Sequence, residues 1–181
     1  MVVAPISLAD YLRQEADSPE KREYIDGEIV AMAGASSNHG LISSELPFAL
    51  PSMSGCRYLN SDVKIWIASR RAYLYPDASI ACPPHWIEEE AGAIDNPITN
   101  FEVLSPGTEL RDRTVKFDLY ASLPSICEIV LIASVRRSVE TYVRTPGGRW
   151  LRSQTGEGRL RLESLDGDLN LDRLYEGVPI E

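Results

Sequence analysis

The stretch Ile98-Thr99-Asn100-Phe101-Glu102-Val103-Leu104 runs into Ser105-Pro106-Gly107-Thr108. It continues through Arg111-Asp112-Arg113-Thr114-Val115-Lys116-Phe117-Asp118-Leu119-Tyr120 to Ile126-Cys127-Glu128-Ile129-Val130-Leu131-Ile132. Its two ends are short apolar runs rich in β-branched residues, the pattern of buried strands. Pro-Gly punctuates the first as a turn. The middle segment, 112–123, carries helical spacing. This is a strand, a helix and a strand within a chain otherwise dominated by strand patterns, which predicts an α+β or mixed α/β fold.

Working outward, residues 72–82 and 57–67 read as two strands joined by a hairpin turn at Ala68-Ser69-Arg70-Arg71. Residues 83–96 are acidic and irregular and read as a solvated loop, with Glu88, Glu89 and Glu90 facing water. At the start, Ser7 caps a helix with Asp10 at the capping-box position, and Leu8, Tyr11 and Leu12 share its apolar face. Arg22-Glu23-Tyr24-Ile25, Asp26-Gly27 and Glu28-Ile29-Val30-Ala31-Met32 form a hairpin, because Asp-Gly between apolar runs suits a two-residue turn. Ser36-Ser37-Asn38 opens a second helix carrying His39, Ile42 and Leu46, against which Pro47 and Pro51 weigh. Beyond 132, residues 138–144 and 149–153 make a hairpin around Pro146-Gly147-Gly148, 159–165 a last strand, and the tail is irregular.

Length and charge narrow the field. The chain of 181 residues reads as a single domain spanning 1–181. A net charge of −9 argues against a general electrostatic grip on nucleic acid, although Arg111, Arg113 and Lys116 form a local basic patch. Cys56, Cys82 and Cys127 follow no metal-binding spacing and read as reduced core residues. The first residues lack a cationic, long-apolar leader and no run reaches membrane-spanning length, so the expectation is a cytoplasmic protein that does not meet a membrane.

Asp77, in Tyr73-Leu74-Tyr75-Pro76-Asp77-Ala78-Ser79-Ile80, and Glu102 each end an apolar strand pattern. A carboxylate held in such a place is costly unless a cation or hydrogen bonds support its charge. Alternation puts Tyr73, Tyr75, Asp77 and Ser79 on one strand face, and Asn100, Glu102 and Leu104 opposite Phe101 and Val103. If the strands are neighbours, both acids face one cleft. Mg²⁺ takes few carboxylates and fills its remaining positions with water and phosphate oxygens, and the Val103 carbonyl is a further candidate ligand. Arg113, Lys116 and Tyr120 recur at helical spacing on one face, which could aim the lysine at that ion. The alternative without chemistry has Asp77 ending a strand in a turn, Glu102 paired with Arg113, and Lys116 solvated.

Tyr24-Ile25-Asp26-Gly27-Glu28-Ile29, His39, Ser61-Asp62-Val63-Lys64, Tyr75-Pro76-Asp77, Glu102-Val103-Leu104-Ser105-Pro106, Asp112-Arg113 and Lys116-Phe117 with Tyr120 occur in this order. The ordered set resembles the Uma-two endonuclease family, a former domain-of-unknown-function group of the PD-(D/E)xK restriction-endonuclease-like superfamily. The resemblance spans residues 7–178. It implies a restriction-endonuclease-like core, with a central mixed β-sheet flanked by helices and an N-terminal helix and β-hairpin. It implies Asp77 and Glu102 as ligands of Mg²⁺ (or Mn²⁺), Lys116 as the catalytic lysine, DNA as partner, and a homodimer. One departure is plain: the superfamily lysine stands two residues after the acid, where this chain has Leu104. The Uma-two pattern looks like a migrated-lysine version, with Lys116 reaching the site from the helix.

Glu23 matches an acid before the family's hairpin and could hold a metal-bound water, or stand as an exposed acid on an edge strand. His39 could touch substrate or move a proton, or simply bond backbone at the helix start, and Arg113 and Tyr120 are further candidates for substrate contact or for supporting the ligands. Asp62 and Lys64 read as a structural ion pair, and His85 as surface. Ser105 lacks the Gly-x-Ser-x-Gly elbow of a serine hydrolase. The resulting expectation is a metal-dependent DNA endonuclease, with a noncatalytic nuclease-fold binding module as the alternative.

Overall fold

A computed structural model describes residues 5–32, 34, 36–87 and 92–180. Helix α1 (Leu8–Ala16) starts at Ser7, whose hydroxyl accepts the Asp10 N–H. Strands β1 (Arg22–Ile25) and β2 (Glu28–Ala31) pair antiparallel across Asp26-Gly27. Both turn residues have positive φ, 43° and 98°, as the tight hairpin requires. Gly27 also lies against Pro5, where an added Cβ would come within 2.6 Å of the proline side chain.

Helix α2 (Ser37–Ala49) forms despite its prolines. Ser36 caps it, Pro47 sits in the last turn and Pro51 follows the end. Pro47 lacks the N–H that would bond the Ser43 carbonyl, so it costs the helix one ladder bond, and the helix ends soon after it. Ile42 and Leu46 are fully buried on one face.

The two long central strands expected from sequence are each broken in two. β3 (Arg57–Asn60) and β4 (Lys64–Ile67) are separated by a turn at 61–63. β5 (Ala72–Leu74) and β6 (Ala78–Ala81) are separated at Tyr75-Pro76-Asp77. Pro76 has no N–H to give a ladder, which favours the break at this point. The halves then enter different sheets. Strand β7 (Ala93–Ile94) joins the first sheet in order β2-β1-β5-β4-β7, so the expected loop at 83–96 contains a short buried strand. The solvated run expected at 88–90 lies outside the described residues.

The second sheet carries the rest. Strand β8 (Thr99–Leu104) leads through α3 (Glu109–Arg111), a π turn over Asp112–Lys116 and α4 (Phe117–Ala121) to β9 (Glu128–Ala133), which pairs parallel to β8. β10 (Val139–Arg144) and β11 (Trp150–Thr155) form the expected hairpin. The order is β11-β10-β9-β8-β6-β3, with only β8 and β9 parallel, so the central sheet is mixed and flanked by helices. The fold is α+β.

The tail is not irregular: β12 (Arg159–Leu162) and β13 (Gly167–Asn170) form a hairpin, and α5 (Leu171–Leu174) packs back on α2. Leu171 and Leu174 supply the missing signal, since both are fully buried. Phe101 and Val103 on β8 share a core with Ile42, Leu46 and these leucines, while Leu104 faces the opposite core with Leu119 and Tyr120. The expected alternation along β8 therefore holds.

The helix after β8 differs from its sequence reading. Regular helical spacing puts Val115 one turn before Leu119 and so predicts both in the core, yet Val115 is 45% exposed, while Leu119 and Lys116 are each 3% exposed. The π turn accommodates an extra residue per turn and rotates the following stripe. The cysteine reading also changes. The register Arg57↔Ala81 sets Cys56 opposite Cys82, and the two form a disulfide, while Cys127 is free and exposed. Among the described residues no helix is long and apolar enough to cross a membrane.

Candidate active site

The break between β5 and β6 puts Asp77 just beyond the last registered pair of β6 with β8, Ala78↔Phe101. Asp77 Oδ2 accepts the Val103 N–H at 2.6 Å, and its Oδ1 lies 3.0 Å from His39 Nε2, delivered by the start of α2. Glu102 points to the other side of β8, toward the helix. Its Oε1 accepts from the Tyr120 hydroxyl at 2.6 Å and lies 2.6 Å from Lys116 Nζ.

Lys116 is fully enclosed by acceptors. Its ammonium donates to the Tyr75 carbonyl at 3.3 Å and lies 3.6 Å from Glu23 Oε1 and 3.8 Å from Asp112 Oδ1. Glu23, buried on β1, accepts the Tyr75 N–H at 3.1 Å on Oε1 and pairs with Arg111 Nη1 at 2.5 Å on Oε2. Asp77, Glu102, Val103, Glu23, His39 and Lys116 all line one cleft with a volume of about 320 Å³.

Burial dominates the electrostatics. It pushes the Glu102 carboxyl up to about 8, against the pull of Lys116 and with the push of Asp77 and Asp112. It raises Asp112 likewise, against Lys116. For Lys116, burial opposes the charge, yet Glu102, Glu23, Asp112 and Asp77 outweigh it and hold the ammonium above the ordinary lysine range. Burial also opposes charge on His39, and the hydrogen bond and charge of Asp77 win, so its pKa is raised. Burial raises the Tyr120 hydroxyl well above its usual value, with the Glu102 charge adding, so it serves as a donor to Glu102.

Four acids, Asp77, Glu102, Glu23 and Asp112, thus meet two permanent cations, Lys116 and Arg111. This crowding of carboxyls, which burial drives toward their neutral forms, suits a divalent cation that would favour their charged forms. The donor set suits a hard ion. Among the described residues no group of three or more His, Cys, Asp or Glu is arranged to hold a metal by itself. Asp77, Glu102 and the Val103 carbonyl could offer two carboxylates and a backbone oxygen, leaving the remaining positions to water, as Mg²⁺ and Mn²⁺ accept and a structural zinc site does not. The Val103 carbonyl is available because β6 has ended before it can pair there.

Of the site residues expected from the sequence, Asp77, Glu102, Val103, Lys116, Glu23, His39 and Tyr120 come together. Arg113 does not. It pairs with Glu109 at 2.8 Å and Glu140 at 2.6 Å and does not line the cleft. The π turn between Arg113 and Lys116 separates the stripes that ideal helical spacing would join. The expected Asp62–Lys64 pair is also absent: Asp62 pairs with Lys21 at 2.6 Å, and Lys64 lies over the Tyr73 ring. His85 is at the surface, beside Asp95. Asp112 and the Arg111–Glu23 pair join the site without having been expected there. The four-residue spacing from Asp112 to Lys116 is a readable signal, but no local pattern links Arg111 to Glu23, which are far apart in the chain.

The chain resembles several known proteins. A crystal structure of "a putative nuclease belonging to DUF820" from Anabaena variabilis superposes with a TM-score of 0.70 at 19% identity, over 94% of this chain and 98% of that one. At that identity the likeness concerns the fold. Two Synechocystis proteins, "Uncharacterized protein slr1290" and "Uncharacterized protein sll1609", are each 36% identical to it. The first aligns over 96% of this chain and 93% of its own, the second over 85% and 91%. The model of Uma2, described as "Putative restriction endonuclease", matches residues 8–173, and the chain belongs to that family.

Proposed function

We propose that the cleft hydrolyses DNA phosphodiester bonds with a Mg²⁺ or Mn²⁺ ion held by Asp77, Glu102 and the Val103 carbonyl. The observation that carries this reading is the meeting of Asp77, Glu102 and a buried, charged Lys116 in one cleft, from a strand break, a strand and a helix. The family description, "Putative restriction endonuclease", supports a nucleic acid as substrate. An ion held by Asp77, Glu102 and the Val103 carbonyl would supply positive charge to the phosphate and a more acidic water.

The residues of the chain do the rest. Val103 N–H and His39 hold the two oxygens of Asp77 in fixed directions. Tyr120 fixes one oxygen of Glu102. Lys116, held charged by its neighbours, is unsuited to take a proton. It instead donates to the attacking water or to the charge that builds on the phosphoryl oxygens. The net charge of −9 leaves DNA binding to local contacts at the cleft.

The test is cleavage of supercoiled plasmid with Mg²⁺ or Mn²⁺, comparing wild type with Asp77→Asn. Nicked or linear product from wild type alone supports the reading. Equal cleavage by both proteins overturns the assignment. Divalent-dependent DNA binding without cleavage by wild type assigns the cleft to a noncatalytic module.

A further inference from the structure

Lys116 touches the same carboxylate that the proposed ion needs. Its ammonium is 2.6 Å from Glu102 Oε1, so in the metal-free protein the lysine already occupies the carboxyl oxygen that an ion would use. A divalent ion ligated by Glu102 would sit close to that ammonium, and two cations on one buried carboxylate repel strongly in a low-dielectric setting. The lysine must therefore yield when the ion arrives.

A second berth is ready beside the first. Glu23 Oε1 is 3.6 Å from the ammonium, so a movement of under about 1 Å makes a full hydrogen bond. The backbone of Tyr75 joins the two partners, since its N–H holds Glu23 Oε1 and its carbonyl accepts from Lys116. Arg111 on the other Glu23 oxygen fixes the carboxylate. Asp112 is the less suitable berth: it lies 3.8 Å away, and burial raises its pKa.

Resting on the reading of Glu102 as a ligand, we propose that Lys116 competes with the divalent ion for Glu102, and that Glu23 is the positioning residue that takes the ammonium over when the ion binds. Glu23 is not itself a ligand. It sets the metal affinity through the lysine, and it leaves Lys116 beside the ion rather than on its ligand. The acid in the N-terminal hairpin thereby gains a role distinct from that of Asp77 and Glu102.

The test is a double-mutant cycle read by calorimetric Mn²⁺ titration of metal-free protein at one pH and ionic strength. Lys116→Met removes the competitor and should tighten Mn²⁺ binding by about tenfold. Glu23→Gln should weaken binding several-fold while Lys116 is present, and by less than about twofold in the Lys116→Met background. Lys116→Gln, which keeps a neutral donor for Glu102, should also tighten binding and carries the test if the methionine variant does not fold. Thermal unfolding of each variant confirms a folded protein.

Unchanged or weaker Mn²⁺ binding in both Lys116 variants overturns the competition. An equal loss on Glu23→Gln in both backgrounds makes Glu23 a ligand and overturns its positioning role. The underlying site fails in a different way: Asp77→Asn and Glu102→Gln would then bind Mn²⁺ as well as wild type.

Discussion

Asp77 accepts the backbone N–H of Val103 at 2.6 Å, so a side chain completes a hydrogen bond that the broken strand no longer supplies. The strand stops before reaching Val103, and the carboxylate of its first unpaired residue fills the gap. One residue is therefore both a structural acceptor and the proposed ion ligand.

This double role separates two substitutions. Asp77→Asn keeps an acceptor for Val103, while Asp77→Ala leaves that buried N–H unpaired. The alanine variant should be less stable than the asparagine variant by about 1–3 kcal/mol in urea unfolding. Both should lose Mn²⁺ binding. Equal stability of the two would mean that water replaces the carboxylate at Val103.

Glu102 predicts a pH effect on the metal-free protein. Its pKa is raised in the folded state from the model-compound value of 4.5 to about 8. The folded state thus holds a proton that the unfolded chain releases, and raising the pH favours unfolding. The contribution is complete below about 4.5 and is lost as pH rises through about 8. Glu102→Gln should flatten the fall in stability between pH 6 and 8.5 by about 2 kcal/mol in chelator-treated protein. An unchanged slope would assign the fall to other groups.

The π turn makes a comparison of two apolar residues decisive. Leu119 is 3% exposed and Val115 is 45% exposed. Leu119→Ala should cost about 2–5 kcal/mol, and Val115→Ala should stay within about 0.5 kcal/mol. Chemical denaturation of both variants checks this. Similar losses at the two positions would restore a regular helix phase.

Arg113 should behave as a structural residue. With Arg152 and Tyr142 it holds Glu140, and although burial works against the charge, these contacts draw the Glu140 carboxyl down to about 2. That stability is present above the ordinary carboxylate range and is lost as pH falls toward about 2. Arg113→Ala should lower stability at pH 7 by about 1–3 kcal/mol and make it less sensitive to acid. Its Mn²⁺ affinity should match wild type. A clear loss of Mn²⁺ affinity would return Arg113 to the site.

Local chemistry makes much of this protein legible in its sequence. Asp26-Gly27 specifies its hairpin because Gly tolerates positive φ and Asp adopts it more readily than most residues. Ser7 and Ser36 mark helix starts because a hydroxyl can satisfy a free N–H. The alternation along β8 puts Glu102 opposite Phe101 and Val103 because strand side chains alternate. The ordered motifs single out Asp77, Glu102 and Lys116, which meet in one cleft.

The remainder depends on partners far apart in the chain. Pro76 is readable as a strand breaker, but only the two sheets decide that Asp77 leaves the Tyr73 face and turns to Val103. Helical spacing puts Arg113 beside Lys116, whereas a π turn and the buried Glu140 draw it away. Cys56 meets Cys82 through the pairing of β3 with β6, and Asp62 meets Lys21 rather than its neighbour in sequence. Periodicity and capping act over a few residues, so the sequence alone determined the first hairpin, the helix starts and the identities of the acids and lysine. The pairing of charges depends on which strands and helices become neighbours, so the tertiary structure alone decided that Lys116 would lie buried between Glu102 and Glu23.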